Sequence, residues 1–312
     1  MTRHSFIRSL AATQPPTNTT NHQQPTDMAA SILELQKEQP APDFSYVGND
    51  WSSLREVGVM LGSFDPIHQA HEAAARRALA RLLELDADAA AAESASQGPR
   101  VALVLLVPAC HFHSGKAGGS KSLPLQRRVE LLRAVLGDIA SEHTGAARPP
   151  VVLAAIAHQV LFLRLDTQLQ RVFPNARVHF FMGSDTYECV RTSATYYAAV
   201  GLPWSADEEE HLAAFADRTW VFERAAEAVS LSASSENLPK VDLSASDSAP
   251  ASRETLDGDL VHVASTSVRL LLVRLADAAP HSDEAASIKA ELAKLVSPRV
   301  LEYITDAQHY SA

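Results

Sequence analysis

His68 and His71 stand three residues apart in "GSFDPIHQAH", residues 62–71, directly behind a Gly-Ser-Phe turn and Pro66. Imidazoles at that spacing fall one helical turn apart, on one side of a helix, and each offers an N–H without needing a permanent charge. The chemistry that suits such a pair is the handling of phosphoryl oxygens, on which negative charge builds during transfer. Two other clusters hold residues of related use. "STSVR", residues 265–269, sets Ser265 and Thr266 where they can cap a following helix, with Arg269 one turn in and able to reach phosphate oxygens with its fork. "GSD", residues 183–185, follows an apolar run with a carboxylate, Asp185, suited to accept from two vicinal hydroxyls. Each has a bland competitor: a packed or surface histidine, a plain helix cap with a solvated arginine, a second cap. Their joint occurrence favours the chemical reading.

Other catalytic patterns are missing. Only one glycine precedes Pro66, so the stretch is not a G-x-G-x-x-G turn, and no G-K-[ST] follows to make a P-loop. No Ser-His-Asp set or activated cysteine is evident, which argues against a covalent intermediate. "CHFHSGKAGGSK", residues 110–121, gathers Cys110, His111 and His113, but no second ligand pair at finger-like spacing supports zinc. The same stretch carries Lys116 and Lys121 among glycines, a composition that suits a mobile loop with a cation for phosphates or simply a solvated basic loop.

These residues need elements to hold them. "VGVMLG" (57–62), "VALVLLVP" (101–108), "VVLAAIA" (151–157), "VHFFMG" (178–183), "TWVFE" (219–223) and "LVHVA" (260–264) are short apolar runs of the kind buried on both faces of a parallel sheet. Between several of them lie helical stripes: Leu125, Val129, Leu132, Leu136 and Ile139 in one, Ala75, Leu79 and Leu82 in another. Alternating strand and helix predicts an α/β, Rossmann-like, doubly wound and mostly parallel sheet with helices on both faces, a single domain with a small C-terminal helical extension. In such folds ligands bind beyond the carboxyl ends of the strands. That places the two histidines where the first strand passes into the first helix, which begins near Gln69 or Ala70 and whose unpaired N–H groups favour an anion.

Residues 1–45 are rich in Gln, Thr, Asn and Pro and read as a disordered tail, leaving 46–312 as the domain. Arg3 and Arg8, with no acid before Asp27, also fit a mitochondrial presequence. Residues 230–259, rich in Ser, Ala and Asp, read as a long flexible insertion. With 312 residues, 46% of them hydrophobic and 21% charged, the chain can bury a substantial core. A net charge of −10 gives no global field for nucleic acid or an anionic membrane, and no apolar run approaches the roughly 20 residues of a membrane span. Two cysteines, Cys110 and Cys189, cannot form a disulfide framework and fit a reducing compartment. The expected location is cytoplasmic, with mitochondrial or nuclear as alternatives.

"GSFDPIHQAH" resembles the G-x-F-x-P-x-H-x-G-H signature of the nucleotidyltransferase superfamily, and in particular that of nicotinamide/nicotinate mononucleotide adenylyltransferases. Ala70 departs from it, standing where that family usually has Gly, which adds a methyl beside the phosphate path. "ASTSVR" is similar to the family's S-S-T-x-I-R, with Ala264 for the first Ser, and "FFMGSD" to its G-x-D strand end. "WVFERA" and "VSPRVLEYITDAQHY" resemble its later strand and closing helix, so the resemblance runs from about residue 56 to 310. It implies transfer of an adenylyl group from ATP to nicotinamide or nicotinate mononucleotide, forming NAD or its deamido form, with Mg²⁺ entering on ATP. It implies roles as well: His68, His71 and Arg269 catalytic; Gly62, Ser63, Phe64, Lys116, Gly183, Asp185, Ser265 and Thr266 on ATP; Arg128, Tyr196, Trp204 and Arg224 on the mononucleotide. Relatives with pantetheine-phosphate, FMN or cytidylyl substrates share the first motif and stay open, as does a non-catalytic nucleotide-binding or chaperone-like protein. Oligomeric state stays open too.

Overall fold

A computed structural model of the chain describes residues 51–90, 99–109, 123–159, 161–194, 197, 203–223, 252–255, 263–279 and 281–306. The apolar runs form β1 (Glu56–Leu61), β2 (Val101–Pro108), β3 (Val151–Ala157), β4 (Arg177–Gly183) and β5 (Thr219–Glu223), joined by a short polar β6 (Ser252–Thr255). They make one sheet in the order β3-β2-β1-β4-β5-β6, and every pairing is parallel. From β1 the chain winds outward through α1 (Gln69–Ala90) and α2 (Leu125–Ser141) to β3. It then returns through α3 (Phe162–Val172) to β4, beside β1, and continues through α4 (Ser184–Arg191) and α5 (Ala206–Ala216) to β5. Three more helices, α6 (Ser265–Asp277), α7 (Asp283–Leu292) and α8 (Pro298–Thr305), close the described chain.

Strand alternation sorts the side chains into two cores. On β2, Val101, Leu103, Leu105 and Val107 face α1, α2 and the three C-terminal helices, while Ala102, Val104 and Leu106 face α3, α4 and α5. The sheet is thus covered on both sides, which is why its strands read as continuous apolar runs. Both helical stripes point inward: Ala75, Leu79 and Leu82 of α1 are fully buried, as are Leu132 and Ile139 of α2, with Leu125 half-buried at its start.

Of the sixth apolar run, 260–264, residues 260–262 lie outside the described residues, and Val263 and Ala264 lie outside any strand and lead into α6. The sixth described strand lies inside the stretch expected to be a long flexible insertion, 230–259, where Trp220 to Glu223 of β5 align with Ser252 to Thr255. An edge strand is held by main-chain pairing and needs no apolar face, so "SRET" leaves no hydrophobic signal. The expected tail, residues 1–45, lies outside the described residues. No helix among the described residues is long and apolar enough to cross a membrane.

Candidate functional site

The strand order reverses between β1 and β4, so the carboxyl ends of these neighbours open the crevice where doubly wound sheets bind ligands. The loop 62–68 leaves β1 at that point. Gly62 extends the ladder by one bond, its N–H donating to the Leu106 carbonyl at 3.1 Å. The buried Phe64 ring folds back over it, and a Cβ at position 62 would meet three ring atoms at 3.0–3.2 Å. Phe64 itself has φ 43°, a left-handed conformation that side chains rarely adopt, so the turn is held from outside.

What holds it is a set of donors from two helices, α2 and α6, and from the residue Leu123 ahead of α2. The Ser63 carbonyl accepts from Arg128 Nη1 of α2 at 2.9 Å. The Asp65 carbonyl accepts from Arg269 Nη1 of α6 at 2.6 Å, and the Pro66 carbonyl from Ser265 Oγ at 3.2 Å. Asp65 Oδ1 accepts from the Leu123 N–H, two residues before α2, at 2.9 Å. Gln69, the first residue of α1, donates its N–H to the Leu295 carbonyl at 2.9 Å and its side-chain amide to Val296 at 3.3 Å, both in the turn before α8. The amino end of α1 therefore offers one main-chain donor fewer than the sequence suggests, because the C-terminal helices dock there.

On this platform His68 and His71 stack with ring centroids 3.7 Å apart, inclined by 25°. The Phe64 ring meets His71 edge-on at 5.0 Å. His68 is 2% exposed and His71 half-buried, so the pair presents one ring outward, backed by the other. Beneath the loop, burial lowers the pKa of the Arg128 guanidinium, and the Asp65 carboxylate partly offsets that effect.

The other expected residues fall as follows. Ser265 and Thr266 do not cap α6: its N-cap is Ala264 with no side-chain bond, because the Ser265 hydroxyl is turned to Pro66 and the Thr266 hydroxyl accepts from Arg269 Nη2 at 3.3 Å. Arg128, expected on the mononucleotide, is one of the largest fully buried side chains. Ser63 is exposed at the loop, and Gly183 ends β4 next to β1. Asp185 is exposed in the first turn of α4, whose N-cap is Gly183. Trp204 lies on the α5 side of the sheet, edge-on to Tyr197 at 5.1 Å, its indole N–H donated to Glu209 at 2.9 Å. No described contact joins it to the histidine loop. Lys116, Tyr196 and Arg224 lie outside the described residues, as do Cys110, His111, His113 and Lys121. Asp65 and Gln69 were missed as site residues by spacing and residue type. The signal that could have found Asp65 is a carboxylate set between an aromatic and a proline in a turn that must be buried.

Among the described residues no group of three or more His, Cys, Asp and Glu side chains gathers to hold a metal ion.

Fold and site together define an all-parallel, doubly wound α/β chain whose paired histidines and anchored arginine stand at the switch point of the sheet. No protein-family model matches the sequence. No curated protein matches it either. The chain is similar in three dimensions to solved structures of Plasmodium falciparum nicotinic acid mononucleotide adenylyltransferase. The one complexed with APC superposes with a TM-score of 0.46 at 14% identity, over 82% of this chain and 97% of that one. The one complexed with NaAD gives 0.43 at 15% identity over the same shares. At these values the likeness is one of overall fold.

Proposed function

We propose that this chain transfers the adenylyl group of ATP to a pyridine mononucleotide. The observation that carries the reading is the His68–His71 stack at the amino end of α1, with Arg269 tied to the same loop at the switch point of the sheet. A phosphate oxygen of the mononucleotide attacks the α-phosphorus of ATP in line. The new P–O bond forms as the bond to the β-phosphate bridging oxygen breaks, and pyrophosphate leaves with that electron pair. No covalent enzyme intermediate is required, so the protein's work is positioning and charge stabilisation.

In this reading His71 and His68 donate to the phosphoryl oxygens where charge develops, and Arg269 with a loop cation such as Lys116 attends the leaving pyrophosphate. Gly62, Ser63 and Phe64 shape the loop beneath the triphosphate, with Ser265 and Thr266 fixing α6 against it. Gly183 lets ribose approach the strand end, where Asp185 accepts from its hydroxyls. Mg²⁺ belongs to the substrate as Mg-ATP. Tyr196, Trp204 and Arg224 are assigned to the mononucleotide, and Arg128 supports the loop from below.

The test is to incubate the protein with Mg-ATP and, separately, nicotinamide mononucleotide, nicotinate mononucleotide, phosphopantetheine and FMN, following pyrophosphate release. Turnover with one of the two pyridine mononucleotides is the expected result. Turnover with another acceptor only, or Mg-ATP binding with no turnover, overturns the reading.

A further inference from the structure

Asp65 receives no substrate in the scheme above, yet the loop is built around it. Its side chain is 6% exposed. One carboxylate oxygen takes the Leu123 N–H at 2.9 Å, and the other lies 3.8 Å from Arg269 Nη1, the atom that also donates to the Asp65 carbonyl. Resting on the reading of this crevice as an adenylyl-transfer site, we propose that Asp65 is a positioning residue that sets Arg269 toward the triphosphate of ATP, acting through the arginine rather than on substrate.

The geometry distinguishes this from a mere turn. Accepting one main-chain N–H needs only a neutral oxygen, as an amide would supply. A charged side chain with such small exposure is costly unless it is compensated by cations. Two are in place: Arg269 on one side and Arg128, fully buried and bonded to the Ser63 carbonyl, on the other. Arg269 is held at Nη1 by Asp65 and at Nη2 by the Thr266 hydroxyl, while its side chain keeps 24% exposure. A guanidinium has five N–H donors, so the fork can be fixed by two and still present others to phosphate oxygens. Fixing it before ATP arrives removes side-chain ordering from the binding step, which is where preorganisation adds affinity.

The test is a double-mutant cycle on the full chain with Asp65→Asn and Arg269→Gln. It is read as Mg-ATP affinity by calorimetry and as kcat and KM for ATP and mononucleotide separately. Asp65→Asn keeps an acceptor for the Leu123 N–H and removes the charge that faces Arg269. We expect it to weaken Mg-ATP binding about tenfold with the mononucleotide KM little changed, and to add less than about threefold in the Arg269→Gln background. Effects that multiply, or equal losses toward both substrates, overturn the proposal. Should Asp65→Asn fail to fold, Asp65→Ser, smaller and neutral, takes its place under the same criteria. A chain that binds Mg-ATP but turns over no acceptor refutes adenylyl transfer alone, and the affinity cycle still decides Asp65. A chain that does not bind Mg-ATP refutes both.

Discussion

At the scale of single residues, the two histidines differ in how they are held, and that difference predicts their behaviour. His68 is packed under the loop, whereas His71 is half-buried and meets the Phe64 ring edge-on and the His68 ring face to face. Replacing His71 by Ala removes a donor needed most when charge develops, so kcat for adenylyl transfer should fall by about 10²–10³. The melting temperature should move little, and near-normal turnover would remove His71 from the mechanism. Gly62 gives a complementary case, in which the side chain is the problem rather than the tool. The methyl of Gly62→Ala would sit 3.0–3.2 Å from three atoms of the Phe64 ring, which is itself buried on a strained backbone. Displacing that ring should cost about 1–3 kcal/mol of stability and weaken Mg-ATP binding with it. Chemical denaturation and calorimetry on the one variant check both expectations, and an unchanged midpoint would show that the ring is free to move.

At the scale of elements, five of the six described strands lie where their apolar runs predict, because a strand covered on both faces announces itself by composition alone. The helices were legible for the same reason: Val129, Leu132 and Leu136 recur at helical spacing only because α2 has one buried side. What was not legible is whatever rests on the main chain or on partners distant in sequence. β6 is polar and held by ladder bonds to β5, and no property of "SRET" announces that pairing. The resemblance puts Arg128 on the mononucleotide, and only the approach of the Ser63 carbonyl, 65 positions away, shows that it is buried to support the loop. Likewise the donor lost from the amino end of α1 goes to Leu295, which no local pattern connects to Gln69. The seating of α1 on the sheet offers a direct test of this level. A Cβ at Gly58 of β1 would fall 2.5 Å from Leu82 Cδ1 of α1, 3.0 Å from the Phe181 ring and 3.2 Å from Leu103 Cδ1. Gly58→Ala should therefore push the helix off β1, costing about 1–3 kcal/mol in urea unfolding and disturbing the histidine stack that α1 carries. Full stability in this variant would mean that the core there is looser than the packing implies.

At the scale of the whole molecule, the face opposite α1 is tied together by one buried charge. Asp166 of α3 is wholly inaccessible and accepts from His211 of α5 at 2.7 Å, from Gln170 at 3.0 Å, and from both terminal nitrogens of Arg218 at 3.1 and 2.8 Å. Arg218 also donates to the Val178 carbonyl at the start of β4, so α3, α5 and the sheet meet at this carboxylate. Burial by itself raises the Asp166 pKa, but the bonds from His211 and Arg218, the Arg218 charge and the Gln170 bond outweigh it, leaving the group below the ordinary carboxylate value. The sign follows by linkage: a depressed folded pKa stabilises the native state above the unfolded value, near 3.9, and that contribution is lost as pH falls through the folded value. Asp166→Asn should then cost about 3 kcal/mol at neutral pH, since Arg218 is left without its counter-charge. The deficit relative to the parent should hold constant down to about pH 5 and shrink below it, because acid removes from the parent the charge the variant already lacks. Thermal melts of both proteins from pH 7 to pH 3 check this, and parallel curves through the acid range would show that Asp166 is not the group that titrates. Because the network lies across the sheet from the histidine loop, kcat for the folded variant should stay close to that of the parent, separating what holds this molecule together from what lets it act on ATP.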